Sequence, residues 1–337
     1  MKSSGRSVVL DALSGAVPAR RPIWLMRQAG RYLPEYREVR AGLSFLDLVR
    51  SPSACTEVAL QPLRRYDLDA TIVFSDILVI PDALDMDLSF EAGEGPKIGR
   101  TLLGEGAELR WQGVCDRLGY VYDAVSALRV AAPDHALFGF AGAPWTLYCY
   151  MVQGGGSSDF AKARTALWTD PDAALLVLDQ LAGIVVEHLR RQHAAGADVV
   201  QLFDTWGGLL AAPDYARFII PSLRKIAAGL QGIPSVLFVR GGGHLLPLLS
   251  DLGFSAYSLD HNVDVAEARR ILGRPTQGNL DNTRLLGPPE AVREGVLRIH
   301  RSLAGARDHI WNLGHGVLPP TPPDSVASFV EAIRSLE

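Results

Sequence analysis

At 337 residues the chain is too long for one small core; it suits either one large barrel or two ordinary domains. With 48% hydrophobic and 21% charged residues and a mean hydropathy of +0.11, the composition is globular, which excludes a disordered, collagen-like or coiled-coil protein. The net charge of −4, from 33 basic and 37 acidic residues with no basic stripe, disfavours nucleic acid as a partner. No apolar run nears the roughly 18–20 residues of a membrane span, and the most apolar helical stretch, 173–193, is interrupted by Asp179, Gln180 and Glu187. The opening MKSSGRSVVLDALSG lacks the apolar core of a secretory signal. Cys55, Cys115 and Cys149 are odd in number and widely spaced, so neither a disulfide framework nor a CxxC pair is expected, and a reducing cytoplasm is.

Eight short apolar runs follow one another along the chain: PIWLM (22–26), ATIVF (70–74), ALFGFAG (136–142), DVVQLF (198–203), PSVLFV (234–239), AYSL (256–259), PTQGNL (275–280) and HIWNLG (309–314). Runs that are apolar throughout, rather than alternating, predict strands buried on both faces of a parallel sheet. The seventh carries the weakest signal. Between them, Ser51-Pro52 opens a helix running to about Tyr66, with Ser as cap and Pro in the first turn. Asp170-Pro171 opens another that Gly196 ends, and Pro213 starts a third that Pro221 kinks or divides. Shorter helices are predicted at 244–252, 264–272, 289–304 and 324–336. Eight strand–helix units predict a single (β/α)8 TIM barrel spanning 1–337, with its active-site cleft at the C-terminal ends of the strands. A doubly wound sheet is the rival, but it would need a glycine-rich dinucleotide fingerprint that the sequence lacks. Residues 75–110, rich in Asp, Gly and Pro, read as one long irregular insertion.

Polar and glycine residues gather where each run ends: RQAGR (27–31), SD (75–76), APW (143–145), DTW (204–206), RGGGH (240–244), DH (260–261), DN (281–282) and GHG (314–316). Any one cluster is ordinary loop chemistry; eight at one end of the strands describe a furnished pocket. MRQAGRYLPEYREVR places Arg27, Arg31, Arg37 and Arg40 against only Glu35 and Glu38. Gly30 and Pro34 make it a shaped loop rather than a long helix. A solvated loop with surface ion pairs is the plain reading, yet the surplus positive charge suits a ligand with several carboxylates or phosphates. Arg supplies 29 of the 33 basic residues, for which genomic bias is the larger reason, although its fork also grips carboxylates. Asp76 closes TIVFS as a carboxylate at a strand end, with a helix cap as its ordinary alternative, and His315 stands between two glycines. The sequence has no HExxH, GxSxG or His/Cys pair at ligand spacing, and GGG (154–156) lacks the Lys-Ser/Thr sequel of a phosphate loop. The residues thus indicate a barrel enzyme for a polyanionic organic substrate and do not name the reaction.

Six segments carry a family resemblance in order along nearly the whole chain: PIWLMRQAGRYLPEYRE, FSDIL, GAPWTLYCYMVQGGGSS, QLFDTW, QGNLD and NLGHGVLPPTPP. The sequence closely resembles the uroporphyrinogen decarboxylases. The resemblance implies a (β/α)8 barrel, usually a homodimer with facing clefts. It further implies cofactor-free conversion of the four acetate side chains of uroporphyrinogen III to methyl groups, giving coproporphyrinogen III in haem and chlorophyll synthesis. By motif, it assigns substrate contacts to Arg27, Gln28, Ala29, Gly30 and Arg31, with Arg40 in the same loop, and a catalytic role to Asp76. Tyr150, Thr205 and His315 take the family's remaining contacts, and Arg27, or a water held by Arg and His315, is the expected proton source. No metal is expected.

Three positions depart from the family pattern: Asn282 where Pro is common, His261 where Trp is usual, and Thr205 where some relatives have Ser. They touch rim packing rather than the Arg loop or Asp76. A corrinoid- or cobalamin-independent methyltransferase on the same barrel is the nearest rival. It would need a zinc-thiolate site in the last strands, and residues 240–337 contain no cysteine. A non-catalytic tetrapyrrole carrier is the rival from another class, and it would have no need of Asp76.

Overall fold

A computed structural model describes residues 4–91, 95–103 and 110–336. Nine strands are present among them: β1 (Ala70–Ile72), β2 (Leu88–Glu91), β3 (Gly95–Ile98), β4 (Ala136–Gly142), β5 (Val199–Asp204), β6 (Ser235–Val239), β7 (Ala256–Ser258), β8 (Thr276–Leu280) and β9 (Ile310–Leu313). Seven form one parallel sheet in the order β1-β4-β5-β6-β7-β8-β9, curled and backed by helices. These are seven of the eight predicted runs, the weakest, 275–280, included. Every residue of β5, β6, β8 and β9 is buried, as strands covered on both faces must be.

The first predicted run, 22–26, makes a single bridge, Ile23 to Trp311, rather than a strand. Pro22 has no N–H to give a ladder, and the chain turns away at Met26-Arg27. The segment nonetheless bonds both edges of the sheet. Trp311 N–H donates to Pro22 O (2.8 Å) and Trp24 N–H to Trp311 O (3.2 Å). On the other side Asp69 N–H donates to Ile23 O (2.8 Å), and Ile23 N–H donates to the Asp69 carboxylate (2.9 Å).

Three layers fill the space inside the curl. At the N-terminal ends of the strands, Trp24, Phe138, Val199, Val236 and Ile310 pack against Val9, Ala12 and Leu13 of a helix, Gly5–Leu13, absent from the sequence reading. Ser4 caps that helix, which acts as a plug. The middle layer is polar: Trp24 Nε1 donates to Gln277 Oε1 (2.9 Å), and Gln277 Nε2 donates to Gln201 Oε1 and Ser258 Oγ (3.1 Å each). The layer nearest the C-terminal ends is Met26, Phe203 and Phe238, with Ile72, Ile77 and Phe140 against it.

The helices fall close to their sequence signals. Ser51 Oγ accepts from Ala54 N–H to cap Pro52–Arg65, and Asp170 caps Pro171–Ala194. Ahead of Pro221 the chain forms a π-helical turn, Tyr215–Ile219, before Ile220–Gly229, so the proline divides the helix as expected. The Arg loop is irregular only over 26–33; Pro34, in the first turn, starts a helix to Arg40 that the sequence reading treated as loop. The 75–110 insertion is less irregular than expected, although 92–94 and 104–109 lie outside the described residues. β2 and β3 pair as an antiparallel hairpin, and Lys97 bridges Gly155. The GGG run serves this packing: Gly154, at φ +83°, ends the helix Pro144–Gln153, and a β-carbon on Gly155 would sit 3.0 Å from Pro96 O.

Candidate active site

A cavity of about 170 Å³ opens over the aromatic layer, lined by residues that include Arg27, Ala29, Asp76, Thr205 and His315. Its apolar wall is Phe140, Phe203 and Phe238, whose rings meet edge-on at 5.7 and 5.9 Å. A larger cavity, about 660 Å³, lies at the opposite end of the strands around Leu13, Arg224 and Gly232. Its one charged residue is Arg224, and it holds none of the motif residues, so size alone does not mark the site.

Asp76 stands just beyond β1. Its Oδ1 accepts the Leu78 N–H (2.8 Å), which fixes the carboxylate. Oδ2 has no hydrogen-bond partner among the described residues. Burial raises the Asp76 pKa, opposed by the Leu78 N–H and by the positive charge of Arg27. Arg27 holds a left-handed backbone, φ +61°, a conformation that costs a non-glycine residue about 1–3 kcal/mol and persists where neighbours over-determine it. Those neighbours are identifiable: Met26 N–H donates to Asn312 Oδ1 (2.8 Å) and Gln28 N–H to Leu25 O (2.9 Å). Gly316 is required on the far side, since a β-carbon there would lie 2.6 Å from Arg27 Cγ.

Not every motif residue reaches the cavity. Gln28 is 1% exposed. Its Oε1 accepts from Leu25 N–H (3.0 Å) and its Nε2 donates to Ala70 O (3.2 Å), so the side chain ties the loop to β1. Gly30 O accepts from Leu33 N–H (3.0 Å) and turns the chain towards the helix. Arg31 is exposed and Arg40 half-buried; both lie outside the cavity wall, close enough to Tyr36 for their charges to oppose the rise that burial imposes on its pKa. Glu35 is taken by Arg65 (2.9 Å), which leaves the loop's positive surplus uncompensated.

Tyr150 packs on Phe160 and Trp206, with ring centroids 5.4 and 6.2 Å away. Burial raises its pKa, opposed first by the Trp206 indole. That indole N–H is buried near the hydroxyl without closing a full hydrogen bond. His315 lies 6.3 Å from the Phe238 ring, and burial pushes its pKa down to about 3, helped by Arg27, Arg240 and His261. The imidazole is therefore neutral at pH 7, a donor at one nitrogen and an acceptor at the other.

Two of the three departures, Asn282 and His261, flank this histidine. Asn282 Nδ2 donates to Gly316 O (2.8 Å), a bond Pro could not make, and His261 packs against Gly314.

Sequence reasoning passed over several contributors. The Ser75 hydroxyl is buried in the cavity wall without a partner among the described residues, and Phe140, Phe203 and Phe238 read only as strand residues. Asp204 was quoted only as part of a motif. It is fully buried at the end of β5, where Thr146 Oγ1 and Tyr215 OH donate to its two oxygens (2.8 and 2.7 Å). Burial pushes it up to about 6 against those two bonds. A carboxyl raised in the folded state contributes stability that is whole below the ordinary value of 3.8 and is lost as pH rises through 6. Asp204→Asn, which cannot ionise, should therefore gain about 1 kcal/mol on the wild type between pH 5 and pH 8. Urea unfolding of both at the two pH values checks this; a difference that stays constant would mean Asp204 does not titrate between them.

Among the described residues no group of three or more His, Cys, Asp or Glu is arranged to hold a metal ion, and no helix is long and apolar enough to cross a membrane. Cys55, Cys115 and Cys149 are free and buried.

A methyltransferase from Methanosarcina mazei shares the fold at a TM-score of 0.85 and 20% identity, each chain covered to 99%. A B12-independent methionine synthase from Shewanella follows at 0.60 and 13%, covering 94% of this chain and 96% of that one. At such identities these neighbours speak to fold alone. Sequence relatives are far nearer. The uroporphyrinogen decarboxylase of Chromohalobacter salexigens is 45% identical over 97% of this chain and 96% of its own length. That of Cupriavidus pinatubonensis is 47% identical over 93% and 91%. The family model described as uroporphyrinogen decarboxylase (URO-D) matches residues 5–336, from the plug helix to the last helix. With that match running through every strand that builds the cavity, the chain belongs to the uroporphyrinogen decarboxylase family.

Proposed function

We propose that the cavity at Asp76 removes the acetate carboxyl groups of uroporphyrinogen III one at a time, ending in coproporphyrinogen III, without a metal or organic cofactor. The decarboxylase activity follows from the family; the assignment of individual residues is the proposal. The observation that carries it is the Asp76 carboxylate, anchored through one oxygen and open at the other, beside Arg27 in an apolar wall.

The chemical difficulty is that CO2 leaving an acetate arm deposits an electron pair on carbon. A proton added to the neighbouring ring carbon makes the pyrrole cationic, so the pair from the breaking C–C bond flows into the ring. The exocyclic carbon then takes up a proton and the ring carbon gives one back, for a net uptake of one proton per CO2 released. Asp76 accepts the pyrrole N–H bonds and stabilises the cation with a charge already in position, the kind of group worth about 10²–10³ in rate. Proton delivery falls to Arg27 or to a water held between Arg27 and His315. An arginine alone is a poor acid, which favours the water. Carboxylates arriving with the substrate oppose the positive charges that add to burial in keeping His315 neutral, a contribution that raises its basicity.

The cavity is smaller than the roughly 300–1,000 Å³ of most ligand pockets, and it takes a portion of the macrocycle. The remainder lies over the rim, where Arg31 and Arg40 meet peripheral carboxylates while Ala29, Gly30, Thr205 and the Tyr150 hydroxyl shape the entrance. For Gln28 the supported role is holding the loop, as its side chain bonds inward.

Three further readings accompany the function. One domain spans the chain, supported by a core cluster running from Ile23 to Ile333. A complete (β/α)8 barrel is supported by the bonds of 22–24 to both sheet edges. A cytoplasmic homodimer is the family's usual form.

Anaerobic incubation of the protein with uroporphyrinogen III and a chelator, followed by oxidation and separation by carboxylate number, tests the reaction. Successive seven-, six-, five- and four-carboxylate products are expected. Tight binding with no loss of carboxylate would instead make the chain a tetrapyrrole carrier, and turnover abolished by the chelator would refute metal independence.

A further inference from the structure

We infer that Arg240, which nothing in the motif comparison assigns, is a second carboxylate-binding cation, facing the Arg27 loop from the opposite side of the cleft. The inference rests on the proposed octacarboxylate substrate and concerns how it is held.

Strand order carries the geometry. Counting the 22–24 segment as first, since it bonds β9 on one side and Asp69, the residue before β1, on the other, β6 is fifth in an eight-membered sequence and stands across from it. Arg27 follows the first member and Arg240 follows the fifth. Asp204 pairs with Val239, and Arg240 N–H donates to Asp204 O (3.2 Å), so Arg240 leaves the sheet level with the Thr205-Trp206 rim. Its carbonyl accepts from Gly208 N–H (3.0 Å), which fixes the backbone on both sides.

The side chain is exposed, and its guanidinium lies 5.8 Å from the Trp206 ring centre, so the indole face steers it. Among the described residues no carboxylate pairs with it. Its charge reaches His315 in the cavity wall, as does that of Arg27. Arg64 and Arg100 on the surface are paired, with Glu57 and Asp87, whereas Arg27 and Arg240 make no ion pair with a carboxylate among the described residues. A ligand charged at one end would need only one of them. A ring with carboxylates around its whole edge, held over a central Asp76, needs cations on opposite sides.

Two variants test this while keeping the arginine stem packed on Trp206: Arg240→Met removes the charge, and Arg240→Lys retains it. Binding of oxidised uroporphyrin, followed by fluorescence, and turnover of uroporphyrinogen III would be measured beside the melting temperature. Arg240→Met should weaken binding and raise KM about five- to tenfold with kcat within twofold, and Arg240→Lys should recover most of the loss. The wild-type difference should shrink with added salt, as an exposed charge contact must. Unchanged Kd and KM in Arg240→Met would overturn the inference, as would an equal defect in Arg240→Lys, which would assign Arg240 to holding Trp206. Wild-type turnover in the same assay is read separately: its absence defeats the decarboxylase reading, while the Kd comparison still decides the role of Arg240.

Discussion

Replacing Asp76 by Asn is expected to lower kcat about 10²–10³-fold with the fold intact. The amide has the same shape, and its oxygen can still accept from Leu78 N–H in place of Oδ1. What changes is the second position: a negative oxygen, without a protein partner in the wall of the cavity, becomes an N–H donor turned towards pyrrole N–H groups. The ring cation formed on protonation then loses its counter-charge. Stability should move the other way. Burial raises the Asp76 pKa, so ionising it at neutral pH opposes folding, and that contribution is lost as pH rises through the raised value. The variant should therefore melt at the wild-type temperature or above it at pH 7–8, the signature of a group held in place for function against stability. Steady-state turnover and thermal melting of the same preparation check both halves. Unimpaired kcat would remove Asp76 from the mechanism, and lost kcat with a lowered melting point would reduce its role to structure.

The largest loss of stability is expected at the other end of the strands. Asp69 is 0% exposed just before β1, and three groups donate to its carboxylate. Arg20 Nε (2.7 Å), Arg334 Nη2 (2.7 Å) and Ile23 N–H (2.9 Å) bond its carboxylate, while its own N–H donates to Ile23 O (2.8 Å). Arg334 also donates to Arg21 O (2.6 Å) and to Asp67 Oδ2 (2.8 Å), so the last helix is tied to the entry of the 22–24 segment through one carboxylate. Asp69→Ala removes one buried acceptor shared by Arg20, Arg334 and the Ile23 N–H. A loss of about 3–5 kcal/mol is expected, as for other buried pairs broken on one side. Urea midpoints for Asp69→Ala should be compared with those for Asp251→Ala, whose exposed partner Arg224 is 3.5 Å away and whose loss should stay below about 1 kcal/mol. Similar midpoints for the two would show that the 22–24 segment is held mainly by its backbone bonds.

Much of the site could be read from the chain because the chemistry is local to strand ends. Asp76 follows β1 by four residues, Thr205 follows β5 by one and His315 follows β9 by two, so finding the strands found the residues. What defeated sequence reading was direction and distance. Gln28 and Arg31 stand three residues apart in one motif, yet one side chain bonds inward to Ala70 O and the other is exposed. Arg240 read as a loop residue before three glycines; only the strand order puts it across the cleft from Arg27. The plug helix at 5–13 was missed because its apolar residues, Val9, Ala12 and Leu13, meet their partners only where distant strands converge.

By itself, the sequence determined where the seven sheet strands lie along the chain, the helix starts at Ser51 and Asp170, and the family, since each depends on residues adjacent along the chain. The tertiary structure decided which groups share a cavity and what their charge states are. Burial, which no window of sequence reports, makes His315 neutral, raises Asp76 and lifts Asp204 to about 6.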